Sequence, residues 1–181
     1  MNILIRKSHP SDLQQVYELS KKCFLYPLDE SKIMSYLNNS FVIEIKDSSN
    51  IIGVLLQGIL ISRNPDLINT VDSTYKSDAF TPINSEHKLF LENNIYCKKI
   101  YGIAMLCIDE NFRSKGLAQK LIEKHWQDNL NKFSCVNTRV SNSNAYNLYK
   151  KLGYQDIAII KNNYLHHDED SIFMVKILTF T

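Results

Sequence analysis

Arg113-Ser114-Lys115-Gly116-Leu117-Ala118 sets two cations and a glycine within six positions, a grouping suited to holding an anion. They follow an apolar run, Ile100 to Ile108 (IYGIAMLCI), which reads as a buried strand. Beyond them, Leu117, Leu121, Ile122 and Trp126 are apolar at helical spacing. A strand, a short turn with a glycine and a helix start form an arrangement that binds phosphates. The first turn of a helix has N–H groups without intrahelical partners, and they sit at the positive end of the helix dipole. Gly116 lets a ligand approach the backbone, and Arg113 and Lys115 add positive charge. The other reading of the same residues is a basic turn at a helix start with no ligand.

The elements that must position this loop can be read in chain order. Asn2 to Lys7 alternates as a strand, and His9-Pro10-Ser11-Asp12 is a turn with Ser11 or Asp12 as helix cap. A helix is predicted over Asp12 to Cys23, with Leu13, Val16 and Leu19 as core positions. Pro27 interrupts it, and Asp29 can cap a second helix, Glu30 to Asn38. Phe41 to Lys46 and Ile51 to Ser62 read as a strand pair around the turn Asp47 to Asn50, with Gly53 and Gly58 relieving crowding or marking bulges. Ser134 to Val140 is a further strand, and Asn142 to Leu152 a helix that Gly153 can end in a left-handed conformation. Tyr154 to Lys161 and Ser171 to Phe180 are the last strands. Arg63 to Lys98 is irregular and polar, with a weak helical pattern near Glu86 to Leu91. A connection this long is usually functional or flexible, and it reads as an insertion that folds over one face. With no repeat and no linker, residues 1–181 are expected to form one α/β domain, a mixed sheet with helices on both faces.

Composition excludes several classes. A net charge of +2 gives no electrostatic case for nucleic acid or a membrane surface. No apolar run of about 18 residues is present, so no membrane span is expected. The N-terminus lacks a signal-peptide core. None of the four cysteines, Cys23, Cys97, Cys107 and Cys135, stands in a C-x-x-C pair, which argues against zinc or thioredoxin-like chemistry. Cys107 and Cys135 lie in apolar strand-like runs and read as small buried hydrophobes, which points to a reducing, cytoplasmic setting.

A second motif stands about 25 residues after the first. Asn142-Ser143-Asn144-Ala145, then Tyr149, then Leu152-Gly153-Tyr154 resembles the second signature of the GCN5-related N-acetyltransferases. Arg113 to Ala118 resembles the acetyl-CoA pyrophosphate loop of the same family. The likeness covers nearly the whole chain apart from 63–98. It implies a mixed, mostly antiparallel sheet of about seven strands flanked by about four helices, the fourth and fifth strands splayed. It also implies acetyl-CoA as co-substrate, with no metal. Backbone groups of Leu106, Cys107 and Ile108 would meet the pantetheine arm; Arg113, Ser114, Lys115, Gly116, Leu117 and Ala118 would hold the pyrophosphate; Asn142 would contact the pantetheine region; and Tyr149 would stand near the thioester.

Within the family the C-terminal part resembles the ribosomal-protein alanine and protein N-terminal acetyltransferases. Val136 to Asn142 is similar to their fifth strand, Tyr164 with Glu169-Asp170-Ser171 to their peptide-clamping hairpin, and Phe24 to Leu28 to their first substrate loop. The expected reaction is direct transfer of acetyl to a primary amine, most simply a protein N-terminal α-amine, with Phe24, Tyr26, Pro27, Tyr164 and His166 at the acceptor. Tyr149 is the expected acid for the departing thiolate. The base position is less regular. Related enzymes often carry Glu or His where this chain has Asn137, and Asn is not a base. A Tyr used by relatives in the fourth strand falls at Gly102, with Tyr101 beside it; a one-residue shift changes face unless a bulge restores it. Asn137 can orient a water, and Glu110, His87, His166 and His167 are the other candidates.

Two other readings remain. One is an acetyltransferase for a small amine such as a polyamine or arylalkylamine, with 63–98 closing a pocket; Glu86, Glu92, Asp168 and Glu169 around the site would favour a polyamine. The other is a CoA-binding partner or sensor that has lost catalysis. The resemblance also leaves room for an auxiliary subunit.

Overall fold

The computed structural model of the chain describes residues 2–61, 80–95, 100–129, 133–164 and 169–178, without the side chains of 59–61, 94–95 and 100–101. The predicted acceptor residue His166, with His167 and Asp168, lies outside the described residues. Two compact units emerge, Met1–Gly58 with Ile103–Leu130, and Ile59–Gly102 with Asn131–Thr181. Among the described residues no helix is long and apolar enough to cross a membrane.

In the first unit the strands run in the order β1 (Ile3–Lys7), β2 (Phe41–Ile45), β3 (Asn50–Ile61) and β5 (Ile100–Ile108). β1 and β2 are antiparallel with Ile5 opposite Ile43, and the β2–β3 register slips between Ile43 and Glu44. Helices α1 (Leu13–Cys23) and α2 (Glu30–Leu37) bury Val16, Leu19, Ile33 and Leu37 against Val42, Val54, Leu56, Met105 and Cys107. Asp29 caps α2 as predicted, accepting the Lys32 N–H at 2.8 Å. Gly58 does relieve crowding: a Cβ there would stand 2.2 Å from the Tyr36 ring. Helix α4 (Leu117–Asp128) packs beside β2, with Leu121 and Ile122 fully buried.

Two local expectations are corrected. Asp12 lies at the N-cap position of α1 but makes no side-chain cap bond. Its carboxylate is taken by the Arg6 guanidinium, at 2.8 and 2.9 Å, and by the His9 N–H. Cys107 is not simply a small hydrophobe, because it is disulfide-bonded to Cys23 across 84 residues of sequence. The packing of α1 on β5 brings the two sulfurs together, a pairing that sequence spacing cannot reveal. Cys135 is free and buried, as read.

In the second unit the order is β6 (Phe133–Arg139), β8 (Glu169–Ile177), β7 (Gln155–Tyr164) and β4 (Phe80–Pro82), each neighbouring pair antiparallel. One face carries Phe80, Phe133, Cys135, Ala158, Ile160, Phe173 and Val175, and Phe90 and Leu91 pack against it. Phe80 meets Phe173 edge-on at 5.2 Å, and Phe90 meets Phe133 at 5.6 Å. The opposite face receives helix α5 (Ser143–Lys151), whose Tyr149 packs edge-on against Tyr154 at 5.3 Å. The Tyr154 hydroxyl bonds Ser134 Oγ at 2.6 Å. Gly153, at φ +86°, follows the helix as expected.

Eight strands and five α-helices are present among the described residues, against about seven and four expected from the sequence. The additions are β4 and α3 (Ser85–Phe90), both within 63–98. Three residues carry no readable periodicity. Phe80–Pro82 is a strand because the edge of β7 pairs with it.

Candidate functional site

The loop at Arg113 is shaped by its backbone. Asp109 accepts the Asn111 N–H at 3.0 Å and caps a short turn, Glu110–Phe112. Ser114 and Gly116 both adopt positive φ, +61° and +73°. Two left-handed residues within three positions turn the chain sharply into α4, and the second needs a glycine or a close substitute. α4 then starts at Leu117 without any side-chain cap. Its first amide groups are left to solvent or to a ligand. A Cβ built on Gly116 would meet nothing within 4 Å, so open space stands over the turn. Residues 113–116 are exposed. The Arg113 Nε donates to the Ile108 carbonyl at 3.0 Å, and the Lys115 Nζ donates to the Asn111 carbonyl at 3.0 Å. Both cations are thus anchored at the rim of an uncapped helix start, an arrangement suited to a diphosphate. A cavity of about 350 Å³ nearby, lined by Glu18, Lys22, Asp109 and Phe112, touches none of residues 113–118.

Along β5, Met105 and Cys107 join the core under α1 and α2, so Leu106 and Ile108 face the other side. Ile108 covers Gly53 closely enough that a Cβ there would stand 2.7 Å from its Cδ1. Tyr101 lies on β5, and its side chain falls outside those described. At the end of α1, Phe24 and Leu28 pack on the first unit's core, Pro27 is half-buried, and Leu25 and Tyr26 are 80% and 49% exposed. The segment is both a cover and a lip.

In the second unit, Asn142 is exposed at the N-cap of α5, its Oδ1 accepting the Ala145 N–H at 3.1 Å. Tyr149 is buried within the same helix. Burial first, and then Tyr154 and Tyr164, push its phenol above the ordinary range and keep it protonated. Tyr164, the acceptor residue expected on the β7–β8 hairpin, is the lesser of the two tyrosines that add to this shift. The Tyr164 ring lies under the Arg139 guanidinium, 4.2 Å from Cζ to centroid. Asn137 is half-buried on the face that carries Phe133 and Cys135, directly opposite Phe173 in register.

Among the candidates for a base, Glu110 is exposed. His87 is half-buried on α3, and its buried Nδ1 has no hydrogen-bond partner. It stands three residues before Phe90, on the side of the helix that meets Phe133. Glu86 and Glu92 are exposed. Sequence reasoning missed the role of Arg139, which pairs with Glu169 at 3.3 Å while covering Tyr164. The partners stand 30 residues apart at strand ends, and only the antiparallel register joins them.

Residues 84–156 match the acetyltransferase (GNAT) domain family. No curated protein sequence matches the chain. Its fold is that of several solved enzymes of low sequence identity. The ribosomal-protein-S18-alanine N-acetyltransferase from Escherichia coli superposes with a TM-score of 0.69 at 15% identity, covering 99% of this chain and 96% of that one. Arabidopsis thaliana NAA60 in complex with acetyl-CoA gives 0.73 at 18% identity, covering 98% and 100%. Arylalkylamine N-acetyltransferase 2 from Aedes aegypti gives 0.68 at 22% identity, covering 99% and 100%.

Proposed function

We propose, from the match of residues 84–156 to the acetyltransferase (GNAT) domain family, that this chain is an acetyl-CoA-dependent N-acetyltransferase acting on a protein or peptide N-terminal amine. The observation that carries the reading is the uncapped start of α4 behind the left-handed Gly116, rimmed by Arg113 and Lys115. It lies inside the stretch that matches the family. Acetyl-CoA, when bound, supplies an activated acyl group as a thioester. The amides at 116–118 and the two cations bind its diphosphate. Backbone groups of Leu106 to Ile108 align the pantetheine arm, and the resemblance gives Asn142 a pantetheine contact as well.

The protein's chemical work is proton transfer. An α-amine near neutral pH is largely protonated and must lose a proton before it attacks. Asn137 is no base and orients water; His87 is the titratable group on the side of α3 that meets Phe133. Burial keeps Tyr149 protonated through the working range, and the resemblance gives it the role of acid for the departing sulfur. The resemblance assigns acceptor contacts to Tyr26 and Pro27 and, on the other unit, to Tyr164. The resemblance of Tyr164 and Glu169-Asp170-Ser171 to a peptide-clamping hairpin supports a peptide over a small amine. A small amine is kept as the second reading because residues 80–95 add an edge strand beside β7 and a layer, through Phe90 and Leu91, over its sheet. A cytoplasmic setting would expose the Cys23–Cys107 pair to a reducing pool.

The test is release of CoA thiol from acetyl-CoA against peptides of varied N-termini, with spermidine and an arylalkylamine alongside. Turnover on one N-terminal class supports the reading. Turnover on free amines alone moves the protein to the small-molecule branch. Absence of acetyl-CoA binding removes the reading altogether.

A further inference from the structure

We propose that Arg139 and Glu169 are positioning residues that set the ring of Tyr164 and fix it to the turn that carries Asn142. The inference rests on the acceptor role of Tyr164 given above. Arg139 ends β6, two residues beyond Asn137 and on the same face. Its guanidinium Cζ stands over Tyr164, 4.2 Å from the ring centroid, while Nη1 reaches Glu169 Oε2 at 3.3 Å. The second Glu169 oxygen accepts the Ser141 N–H at 2.7 Å. Ser141 immediately precedes Asn142, the N-cap of α5. Glu169 is also the register partner of Tyr164 across β7 and β8. One carboxylate therefore joins three things: the cation over the acceptor tyrosine, the strand pair that carries that tyrosine, and the turn expected to meet the pantetheine arm.

Neighbouring contacts strengthen the connection. The Val140 N–H donates to the Asp170 carbonyl at 3.3 Å. The Asp170 carboxylate accepts the Asn162 N–H at 3.0 Å and pairs with Lys161 at 2.6 Å. Both ends of the hairpin are thus tied to the β6–α5 turn or to each other. The arginine side chain is 29% exposed and the glutamate 20%, so the pair contributes little to global stability. Its value lies in direction. A planar guanidinium can cover an aromatic ring and bond a carboxylate at once, whereas the compact lysine ammonium cannot reproduce the planar cover. Misplacing an acceptor-gripping ring weakens the hold on the acceptor, and so lowers kcat/KM, without unfolding the protein.

The two residues have different predicted signatures. R139A and R139K remove the cover from Tyr164 and raise the acceptor KM by about tenfold, with kcat and acetyl-CoA Kd near wild type. E169A also releases the Ser141 N–H and raises both the acceptor KM and the acetyl-CoA Kd, while E169Q, which keeps an acceptor oxygen, spares the Kd. The R139A/Y164A double variant is no worse than Y164A. An independent readout uses protein labelled with 3-fluorotyrosine, the Tyr164 resonance being assigned with Y164F. R139A and R139K move that resonance without any acceptor present. Melting temperatures stay within about 4 °C of wild type. An unmoved Tyr164 resonance, or an unchanged acceptor KM in an active enzyme, overturns the proposal. A moved resonance in a protein that binds no acetyl-CoA leaves a structural contact only. That outcome removes the functional reading and the positioning role with it, by a different observation.

Discussion

Gly116 separates what the fold needs from what the ligand needs. It sits at φ +73° and ψ 6°, left-handed, immediately before α4. An L-alanine in that conformation costs roughly 1–2 kcal/mol. Asparagine enters the same region more readily and costs less. Neither side chain meets a neighbour at its Cβ, since nothing lies within 4 Å of that position. The unliganded protein should therefore lose about 2–8 °C in Tm with alanine and less with asparagine. The ligand is affected differently. A Cβ fills the open space where a phosphate would approach the helix amides. Losing one hydrogen bond to a charged group costs about 1.5–3 kcal/mol, which is roughly a tenfold to a hundredfold or greater rise in Kd. Both G116A and G116N should therefore weaken acetyl-CoA by about that factor in titration calorimetry. S-acetylpantetheine, which lacks the diphosphate, should be used equally well by wild type and both variants. Unchanged acetyl-CoA affinity in folded G116A and G116N would refute the placement of the diphosphate. Equal weakening of S-acetylpantetheine would refute it too, because the variant would then be disturbing the protein and not the phosphate contact.

Other outcomes follow from particular side chains. Tyr149→Phe keeps the edge-on ring against Tyr154 and removes the proton; kcat should fall by about 10²-fold or more with acetyl-CoA Kd and Tm preserved, and an unchanged kcat would exclude it as the acid. His125 is buried in α4, with Nδ1 within 2.5 Å of Gln57 Oε1, and burial pushes it down to about 4. Its folded value is depressed, so the unfolded chain takes up the proton first as pH falls. The stability from neutral His125 is full above about pH 6.5 and is lost progressively toward pH 4, about 3 kcal/mol in all. Urea unfolding at pH 7 and 4.5 should show a smaller loss in His125→Gln than in wild type, and equal losses would exclude this histidine as the cause. The Cys23–Cys107 bond closes a separation of 84 residues, so Cys23→Ser should cost about 2–4 kcal/mol, read as a lower denaturation midpoint. Dithiothreitol should lower wild type to the level of the variant; a midpoint insensitive to reductant would show that the bond is not formed.

Much of the fold was legible because its elements are long and periodic. The run Ile100 to Ile108 was read as a strand and forms one over those same residues. The helix after Gly116 was legible from the change in apolar spacing at Leu117 and from the glycine before it. The loop chemistry was equally local, since a phosphate site built on a helix start uses residues adjacent in sequence. Tyr149 could be named from its motif, but its burial and its edge-on contact with Tyr154 could not. Those properties depend on what packs on the helix.

The failures share a physical cause. Asp12 was read as a helix cap because its type and position suit one, yet Arg6 arrives from β1 and takes the carboxylate. Cys23 and Cys107 look unrelated along the chain and meet through helix-on-strand packing. Phe80–Pro82 has too few residues for a period and becomes a strand by pairing with β7. Local conformations and the chemistry of contiguous motifs follow from residue order alone, because propensity, capping and turn geometry act over a few residues. That Arg139 covers Tyr164 while Glu169 holds it and the Asn142 turn is set by packing of distant segments. That outcome depends on the antiparallel register of β6, β8 and β7, which joins residues that no short-range rule connects.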